Sequence, residues 1–288
     1  MNTRRKFIKQ GLAGSALLLG APQLVSAALT PSATSPTAEK PMPKANPFHF
    51  GMAGWTLHKF DVDTALAFTE KIDMHYFCIK NFQLPFDADE ETIRTFKAKL
   101  AAHHITGYGV GPIYMKTEKA IDDAFDYAER IGGIKVIVAV PSYELLPYLD
   151  KKMKNYDFKI AIHLHGPDQK IFQDATVVWN HTKDLNPNIG MCLDVGHDLR
   201  NGSDPVKDVL RYHSRIFDMH IKDVTACDHT GKGIEFGRGK IDFAGLIKAL
   251  RKVNYTGCCN IEYEKNMADP FIEIGESVGY FRALMDNI

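Results

Sequence analysis

Four short apolar runs in the second half of the chain end in side chains that could bind a metal ion. Imidazole nitrogens and carboxylate oxygens are the protein ligands of divalent ions such as Mn²⁺, Co²⁺, Zn²⁺ and Mg²⁺. Residues two apart in a strand share a face, which pairs His163 with His165 and His220 with Lys222. The side chains at the four ends are His163, His165, Asp194, His197, His220, Lys222, Glu262 and Glu264. The pattern predicts one divalent-metal site if the four runs are neighbouring strands.

Each of these residues also has a purely structural interpretation. A single buried histidine is more often a hydrogen-bonded structural residue than a ligand. Asp194 is also suited to cap the helix that follows it. We interpret Cys192, Cys258 and Cys259, which lie inside apolar runs, as small packing residues and not as nucleophiles or ligands. The recurrence of donors at four consecutive strand ends favours a shared site.

The elements that must position these donors follow one repeated pattern. Eight strand-like runs are each followed by a stretch with helical spacing, as in the apolar stripe of Phe243, Leu246, Ile247 and Leu250. The runs cover residues 48–52, 76–79, 107–110, 136–140, 160–164, 189–193, 216–221 and 259–261. Eight such units predict an α/β fold, a single (β/α)8 TIM barrel, whose sites lie at the carboxyl ends of the strands. The alternative is a doubly wound open sheet, but residues 51–55 lack its glycine-rich phosphate-binding fingerprint.

Four sequence strings give the chain a family resemblance. They are AIHLHG around His163, CLDVGH around Asp194, DMHIKD around His220 and NIEYE around Glu262. Together they resemble the xylose-isomerase-like TIM-barrel family, which includes sugar phosphate isomerases and epimerases and inosose dehydratases. The resemblance covers roughly residues 48–285. It implies one divalent metal ion at the barrel mouth, bound by His163, Asp194, His220 and Glu262.

The chain departs from the sugar epimerases of this family at the end of the fifth strand. Those enzymes have a glutamate where this chain has His163, so a symmetrical two-glutamate mechanism is in doubt. The inosose-dehydratase branch resembles the chain better. Asp168, in the loop after the same strand, is the nearest carboxylate that could replace the missing one. The sequence leaves open whether His163 or Asp168 is the first ligand.

A metal ion at this site would support chemistry on a keto sugar. It would stabilise the enediolate that forms when a base removes the proton beside the carbonyl. His165, His197 and Glu262 are candidate bases, and Lys222 is a candidate partner of the oxyanion or the leaving group. Candidate substrate contacts are Trp55, His58, Lys80, Tyr114, Asp168 and Arg238.

Three functions remain open. The first is a metal-dependent sugar isomerase or epimerase, and the second is a periplasmic lyase that cleaves a 3-keto-glycoside by β-elimination. The third is a non-catalytic sugar-binding barrel. The first two predict an enzyme that acts on a small carbohydrate.

The beginning of the chain predicts export. Residues 1–27 combine a basic start, with Arg4 and Arg5, and an apolar stretch, and they resemble a twin-arginine signal peptide. Residues 28–46, rich in Pro, Ser, Thr and Ala, predict a flexible linker, and residues 47–288 the catalytic domain. We therefore expect passage through the twin-arginine export machinery to the periplasm, with no membrane association after cleavage.

Charge and composition exclude other classes of protein. Basic and acidic residues number 35 each in the whole chain. Residues 1–27 hold four basic residues and no acidic one, so their removal leaves 31 basic and 35 acidic residues. An acidic balance argues against nucleic acid as a partner. Five cysteines are too few for a disulfide-based scaffold.

Overall fold

The computed structural model describes residues 46–288. The predicted signal peptide and the predicted linker, apart from Asn46, lie outside the described residues. Among residues 46–288, no helix has both the length and the apolar character that crossing a bilayer requires.

Eight parallel strands close into a barrel, as the sequence pattern predicts. Each strand pairs with its neighbours in chain order, and the first also pairs with the last. The strands are β1 His49–Ala53, β2 Tyr76–Ile79, β3 Thr106–Met115, β4 Val136–Pro141, β5 Lys159–His163, β6 Ile189–Asp194, β7 Ile216–Ile221 and β8 Cys258–Ile261. Because all eight run in the same direction, their carboxyl ends form one rim, which we call the mouth.

Helices surround the barrel, and most of them begin at a side chain that caps them. Thr117 and Asp204, for example, each accept a hydrogen bond from the first turn of a helix. The helices are α1 Val62–Lys71, α2 Glu90–Ala102, α3 Glu118–Ile131, α4 Leu146–Met153, α5 Ala175–Thr182, α6 Val195–Arg200, α7 Pro205–Tyr212, α8 Phe243–Lys252 and α9 Phe271–Asn287. A short hairpin pairs Asp223–Val224 with Gly233–Ile234 between β7 and α8.

Strand β3 is longer than the predicted run of residues 107–110. Its second half contains Gly111 and Pro112, two residues that normally interrupt a strand, and the register with β4 shifts between Val110 and Ile113. Gly111 has φ +124°, and a side chain there would collide with the carbonyl group of Val138. Beyond this irregularity β3 continues to Met115, and its last residues, including Tyr114, lie at the mouth.

The core has an outer and an inner part. Between strands and helices lies a large apolar layer that includes Leu246 and Leu250 of the predicted stripe on α8. The lower half of the barrel interior is filled mostly by small residues, among them Cys78, Cys192 and Cys258. Cys192 and Cys258 are buried in this packing, as expected, but Cys192 also lies close enough to His163 and His220 to share a metal ion with them. The upper half of the interior is left for polar side chains.

Candidate metal centre and active site

Four buried side chains converge at the mouth, in agreement with the ligand set that the family resemblance implies. His163 ends β5, Asp194 ends β6, His220 lies on β7 and Glu262 follows β8. Asp194 and His220 are partners in the β6–β7 register, and the Glu262 N–H donates to the carbonyl of Ile221. The four can each offer a ligand atom, and these atoms lie within 4.8 Å of one another. We call these four residues the tetrad.

Two polar atoms of the tetrad have no hydrogen-bond partner, although they are fully buried. They are His163 Nδ1 and His220 Nε2, whereas Asp194 Oδ2 lies 3.1 Å from the Lys222 ammonium group and His220 Nδ1 lies 3.1 Å from Glu262 Oε2. None of the four tetrad side chains is more than 4% exposed. Buried polar groups are almost always satisfied, so two orphaned atoms in one cluster indicate a missing partner. Two imidazoles and two carboxylates at this spacing fit a divalent ion.

Asp194 has two functions, one for each oxygen. Its Oδ1 accepts from the N–H groups of Gly196 and His197 at 3.0 and 2.9 Å and caps α6. Its Oδ2 faces the tetrad and lies 3.1 Å from the Lys222 ammonium group. The structural interpretation and the ligand interpretation are therefore both compatible with the geometry.

Lys222 is enclosed by carboxylates instead of facing the cavity. Its ammonium group lies 2.7 Å from Glu262 Oε2, 3.1 Å from Asp194 Oδ2 and 2.9 Å from Glu264 Oε2. The side chain is 5% exposed and is absent from the lining of the mouth cavity described below. That Lys222 is a partner of the oxyanion or the leaving group stays a prediction, and in this arrangement three carboxylates surround its only charged group. In the structure it neutralises and positions the carboxylates.

Burial and neighbouring charge set the protonation of the two acidic tetrad members. Burial alone would raise the pKa of Glu262, but His220 and Lys222 hold that pKa well below its usual range. Burial raises the pKa of Asp194 to about 7, although Lys222 opposes the shift. Glu262 is therefore the carboxylate that stays ionised, as a general base or a metal ligand requires.

The three histidines near β5 and β6 are held neutral. Burial lowers the pKa of His163 well below its usual value, and the neighbouring His220 and His165 lower it further. Burial lowers the pKa of His165 to about 4 and that of His197 well below its normal range. A neutral imidazole has a lone pair available for a metal ion or a proton.

A cavity of about 300 Å³ opens above the tetrad. Trp55 and Tyr114 contribute aromatic surfaces to it, and the His58 ring stacks on Trp55 at 4.5 Å without lining the cavity. The lining residues are Trp55, Lys80, Pro112, Tyr114, His163, His165, Asp168, His197, Glu262 and Glu264. Aromatic faces beside carboxylates and imidazoles suit a polyhydroxylated ring, and the volume suits a ligand the size of a small sugar.

The alternative between His163 and Asp168 is answered by where Asp168 points. Its carboxylate forms a two-pronged ion pair with Arg200 at 2.6 and 3.0 Å, and it is half exposed. The tetrad instead contains His163. Gly166, at φ +55°, brings this loop against α6, because a side chain there would collide with the His197 carbonyl. Asp168 is thus a cavity-wall residue beside His197, at 3.4 Å.

Two other predicted substrate contacts differ in their placement. The Lys80 side chain lines the cavity and donates to the carbonyl of Pro112. Arg238 does not line it, since its guanidinium pairs with both carboxylate oxygens of Glu276 at 2.7 Å. The prediction that Arg238 contacts the substrate is therefore not supported, because the loop after β7 turns its side chain towards α9.

The sequence interpretation missed Arg200 and a second buried polar cluster. Arg200 lies three residues after His197 on α6, a spacing that places the two on one helix face. The second cluster, which we call the lower cluster, consists of Tyr108, Asp218 and Asn260 inside the barrel. Asp218 lies two residues before His220, so alternation along β7 was the one signal that it faces inward.

Comparison with known proteins agrees with this geometry. Residues 66–284 match the family model described as xylose isomerase-like TIM barrel. An inosose dehydratase of Lacticaseibacillus casei is 23% identical over 253 residues, which cover 70% of this chain and 83% of the dehydratase. SgbU of Escherichia coli strain K12, named as a candidate L-ribulose-5-phosphate 3-epimerase, is 31% identical over 123 residues, and the chain spans only 43% of its length.

Solved structures share the fold at low sequence identity. A D-psicose 3-epimerase crystallised in the presence of D-fructose superposes with a TM-score of 0.67 at 10% identity, covering 83% of this chain and 100% of the epimerase. IolI with a bound zinc atom superposes with a TM-score of 0.66 at 17% identity, covering 82% of this chain and 96% of IolI. The matched family model spans most of the barrel, and the chain belongs to the xylose isomerase-like TIM-barrel family.

Proposed function

We propose that the protein is a metal-dependent enzyme that removes the proton beside the carbonyl group of a keto sugar, as a sugar isomerase or epimerase does. The observation that carries the proposal is the tetrad of buried, partly orphaned ligand atoms beneath a sugar-sized cavity. The relatives named above include an inosose dehydratase and sugar epimerases. Their reactions all begin with loss of a proton beside a carbonyl group.

The tetrad residues His163, Asp194, His220 and Glu262 would hold the ion. When bound, a divalent ion acts as a Lewis acid that makes a C–H bond beside a chelated carbonyl more acidic. Glu262 stays ionised and lines the cavity, so it is placed to accept the proton. His165 and His197, both neutral, are placed on the β5 and β6 side to relay or return a proton.

A second candidate function is β-elimination from a 3-keto-glycoside. The observation that favours it is the imidazole pair formed by His163, which ends β5, and His165 two residues later. An epimerase needs two groups of matched basicity on opposite faces of the substrate, whereas an elimination needs one base and one acid. One carboxylate beside neutral imidazoles departs from the matched pair that an epimerase needs, and Glu262 would be the base of an elimination. A non-catalytic sugar-binding barrel is the remaining alternative, which the loss of the β5 glutamate supports.

The charges of the mouth support a substrate without a phosphate group. Among the described residues that line the cavity, Lys80 is the only lysine or arginine, and its ammonium group donates to the Pro112 carbonyl. Three carboxylates, those of Asp168, Glu262 and Glu264, line the same cavity. Lys222 and Arg200 are already paired with these carboxylates, so among the described residues the cavity offers no unpaired lysine or arginine to a phosphate dianion. Export through the twin-arginine route, as residues 1–27 predict, also favours an unphosphorylated substrate, because the proposed location is the periplasm.

The function is tested in deuterated water, with the full chain, added Mn²⁺ and two substrate groups. Free ketoses and 3-keto-glucosides are incubated separately and followed by NMR. Isomerase or epimerase activity incorporates solvent deuterium into recovered sugar, and lyase activity releases the aglycone. Either result must disappear with a chelator and return with the metal. If the protein binds a sugar tightly but forms neither deuterated sugar nor free aglycone with any added divalent metal, the result would support the binding protein and overturn the enzyme proposal.

A further inference from the structure

A second and larger cavity lies at the opposite end of the barrel. Its volume is about 670 Å³, against about 300 Å³ at the mouth. It opens among the residues that begin the strands, including His49 of β1, Tyr76 of β2 and Ile216 of β7. Among residues 46–288, none lines both cavities. This lower cavity is therefore separate from the proposed catalytic site.

The charge of the lower cavity is opposite to that of the mouth. Its ionisable rim consists of Lys135, Lys159, His49 and His213, together with tyrosines. Among the described residues that line it there is no aspartate or glutamate, whereas three carboxylates line the mouth. Two lysines without an acidic neighbour in the wall create a local positive potential. A ligand with a negative charge fits this potential.

The walls of the lower cavity are aromatic and held in place. The Tyr76 ring stacks on His49 with 4.1 Å between centroids. Phe217 lies beneath the Lys159 ammonium group at 5.1 Å. Tyr108 is fixed from behind, because its hydroxyl group donates to Asp218 at 2.8 Å. Rigid aromatic surfaces of this kind bind flat, apolar groups with little loss of side-chain entropy.

Backbone hydrogen bonds join the chain positions that carry the two lysines, and the Lys159 ammonium group also donates to Asn188 Oδ1. The Lys135 N–H donates to the Tyr108 carbonyl at 2.7 Å, and the Lys159 N–H donates to the Lys135 carbonyl at 2.9 Å. At this rim, Tyr108, Lys135 and Lys159 therefore follow one another on three neighbouring strand segments. This order puts positive charge at the edge of a flat apolar surface, which is the complement of an aromatic ring that carries a carboxylate.

We propose that the lower cavity is a binding site for a planar aromatic carboxylate of about two rings. The ring system lies between Tyr76, Tyr108 and Phe217, and the carboxylate lies at Lys135 and Lys159. The site takes no part in the proposed sugar chemistry and does not depend on it. A cavity of this volume is in the range that binds small organic molecules.

Isothermal titration calorimetry of the full chain tests the proposal with 2-naphthoate and its uncharged analogue 2-naphthalenemethanol. We expect the acid to bind at least about tenfold more tightly than the alcohol, because only the acid pairs with the lysines. Lys135→Met and Lys159→Met should each weaken the acid about fivefold, as partly exposed ion pairs do. Both should leave the alcohol unchanged. Lys248→Met, an exposed lysine on α8, is the matched control and should have no effect.

Competition separates the lower cavity from the mouth. The affinity of 2-naphthoate should be the same in Asp194→Asn and in the presence of saturating sugar. Equal affinities for acid and alcohol, or a loss of affinity in Asp194→Asn, would overturn the proposal. An affinity for 2-naphthoate that neither lysine substitution changes would also overturn the proposal. Absence of binding by both compounds would likewise contradict an aromatic site of this size.

Discussion

Two buried polar clusters lie one above the other in the same barrel. Asp218 of the lower cluster and His220 of the tetrad are two residues apart on β7, and neither is exposed. Asp218 accepts from Tyr108 at 2.8 Å and from Asn260 at 3.0 Å, and Asn260 also donates to the Tyr108 hydroxyl. Every residue of the lower cluster has a partner. The tetrad, equally buried, keeps two ring nitrogens without any partner, His163 Nδ1 and His220 Nε2.

The difference shows how a structural cluster is distinguished from a site in the same environment. Burying a polar group without a partner costs about 1–3 kcal/mol, so a cluster that exists for stability completes its hydrogen bonds. A cluster that is incomplete by itself is one that something else completes. Both clusters are buried and polar, and they differ in residue type and in the atoms that have no partner. The lower cluster is therefore the internal control for the tetrad.

The largest expected effect is on activity when Glu262 is changed. Glu262→Gln keeps the shape but removes the ionised oxygen that accepts the proton, and it removes a charged member of the tetrad. We expect the rate of deuterium incorporation or aglycone release to fall by roughly a thousandfold. Stopped assays followed by NMR measure the rate. A residual activity within tenfold of wild type would show that another residue is the base.

The corresponding change in the lower cluster should affect stability instead. Tyr108→Phe removes the hydroxyl group and leaves Asp218 and Asn260 each one partner short. We expect the free energy of unfolding to fall by about 1–3 kcal/mol, with activity within threefold of wild type. Urea unfolding and the same activity assay measure both. A large loss of activity in a folded protein would break the distinction between the clusters.

Trp55 should contribute to substrate binding and not to the chemical step. Trp55→Phe shrinks the aromatic surface at the mouth, and we expect KM to rise about tenfold with kcat little changed, since stacking on a ring is worth roughly 1–1.5 kcal/mol. Trp179→Phe is the matched control, because Trp179 packs against Tyr212 outside the mouth cavity. Similar kinetic changes in the two variants would show that Trp55 has only a packing role.

A third buried group, Asp198, predicts that the free energy of unfolding depends on pH because of burial alone, with no ligand involved. Asp198 is fully buried on α6, and burial together with Asp208 raises its pKa well above the usual value. A carboxyl whose pKa is raised by folding stabilises the protein when protonated, and this stability is lost as pH rises above about 4.

Asp198→Asn copies the protonated form, because its amide still accepts from the Ala175 N–H and can donate to Asp208. We expect the variant to exceed wild type in free energy of unfolding by about 1–2 kcal/mol at pH 8 and by less at pH 4. Chemical unfolding at both pH values measures the difference. An advantage that is larger at pH 4 would contradict the sign.

The barrel and three strands of its site could be predicted because they depend on local patterns. Apolar runs with polar ends at residues 194, 220 and 262 indicate inward-facing donors at strand ends, and the barrel topology brings them together. Whether His163 or Asp168 joins the other three ligand candidates could not be predicted. It depends on Arg200, which is distant in sequence and forms an ion pair with Asp168. The positions of Lys222 and Arg238 depend in the same way on partners that no local pattern reveals.

The lower cluster was also beyond prediction, for a related reason. Tyr108 and Asp218 are 110 residues apart, and each is a single polar residue in an apolar run. Such a residue shows that a partner must exist but not which one it is. Only the closed barrel brings β3 and β7 close enough for their side chains to meet across the interior.

The most direct test of the account is the metal content of matched variants in the two clusters. Wild type, Asp194→Asn and Asp218→Asn are each loaded with Mn²⁺ or Zn²⁺, dialysed and measured by mass spectrometry. Asparagine at position 194 still accepts the α6 capping hydrogen bonds, so the fold is retained. The account predicts about one ion per chain in wild type and in Asp218→Asn, and close to none in Asp194→Asn. Equal metal content in all three proteins would contradict it.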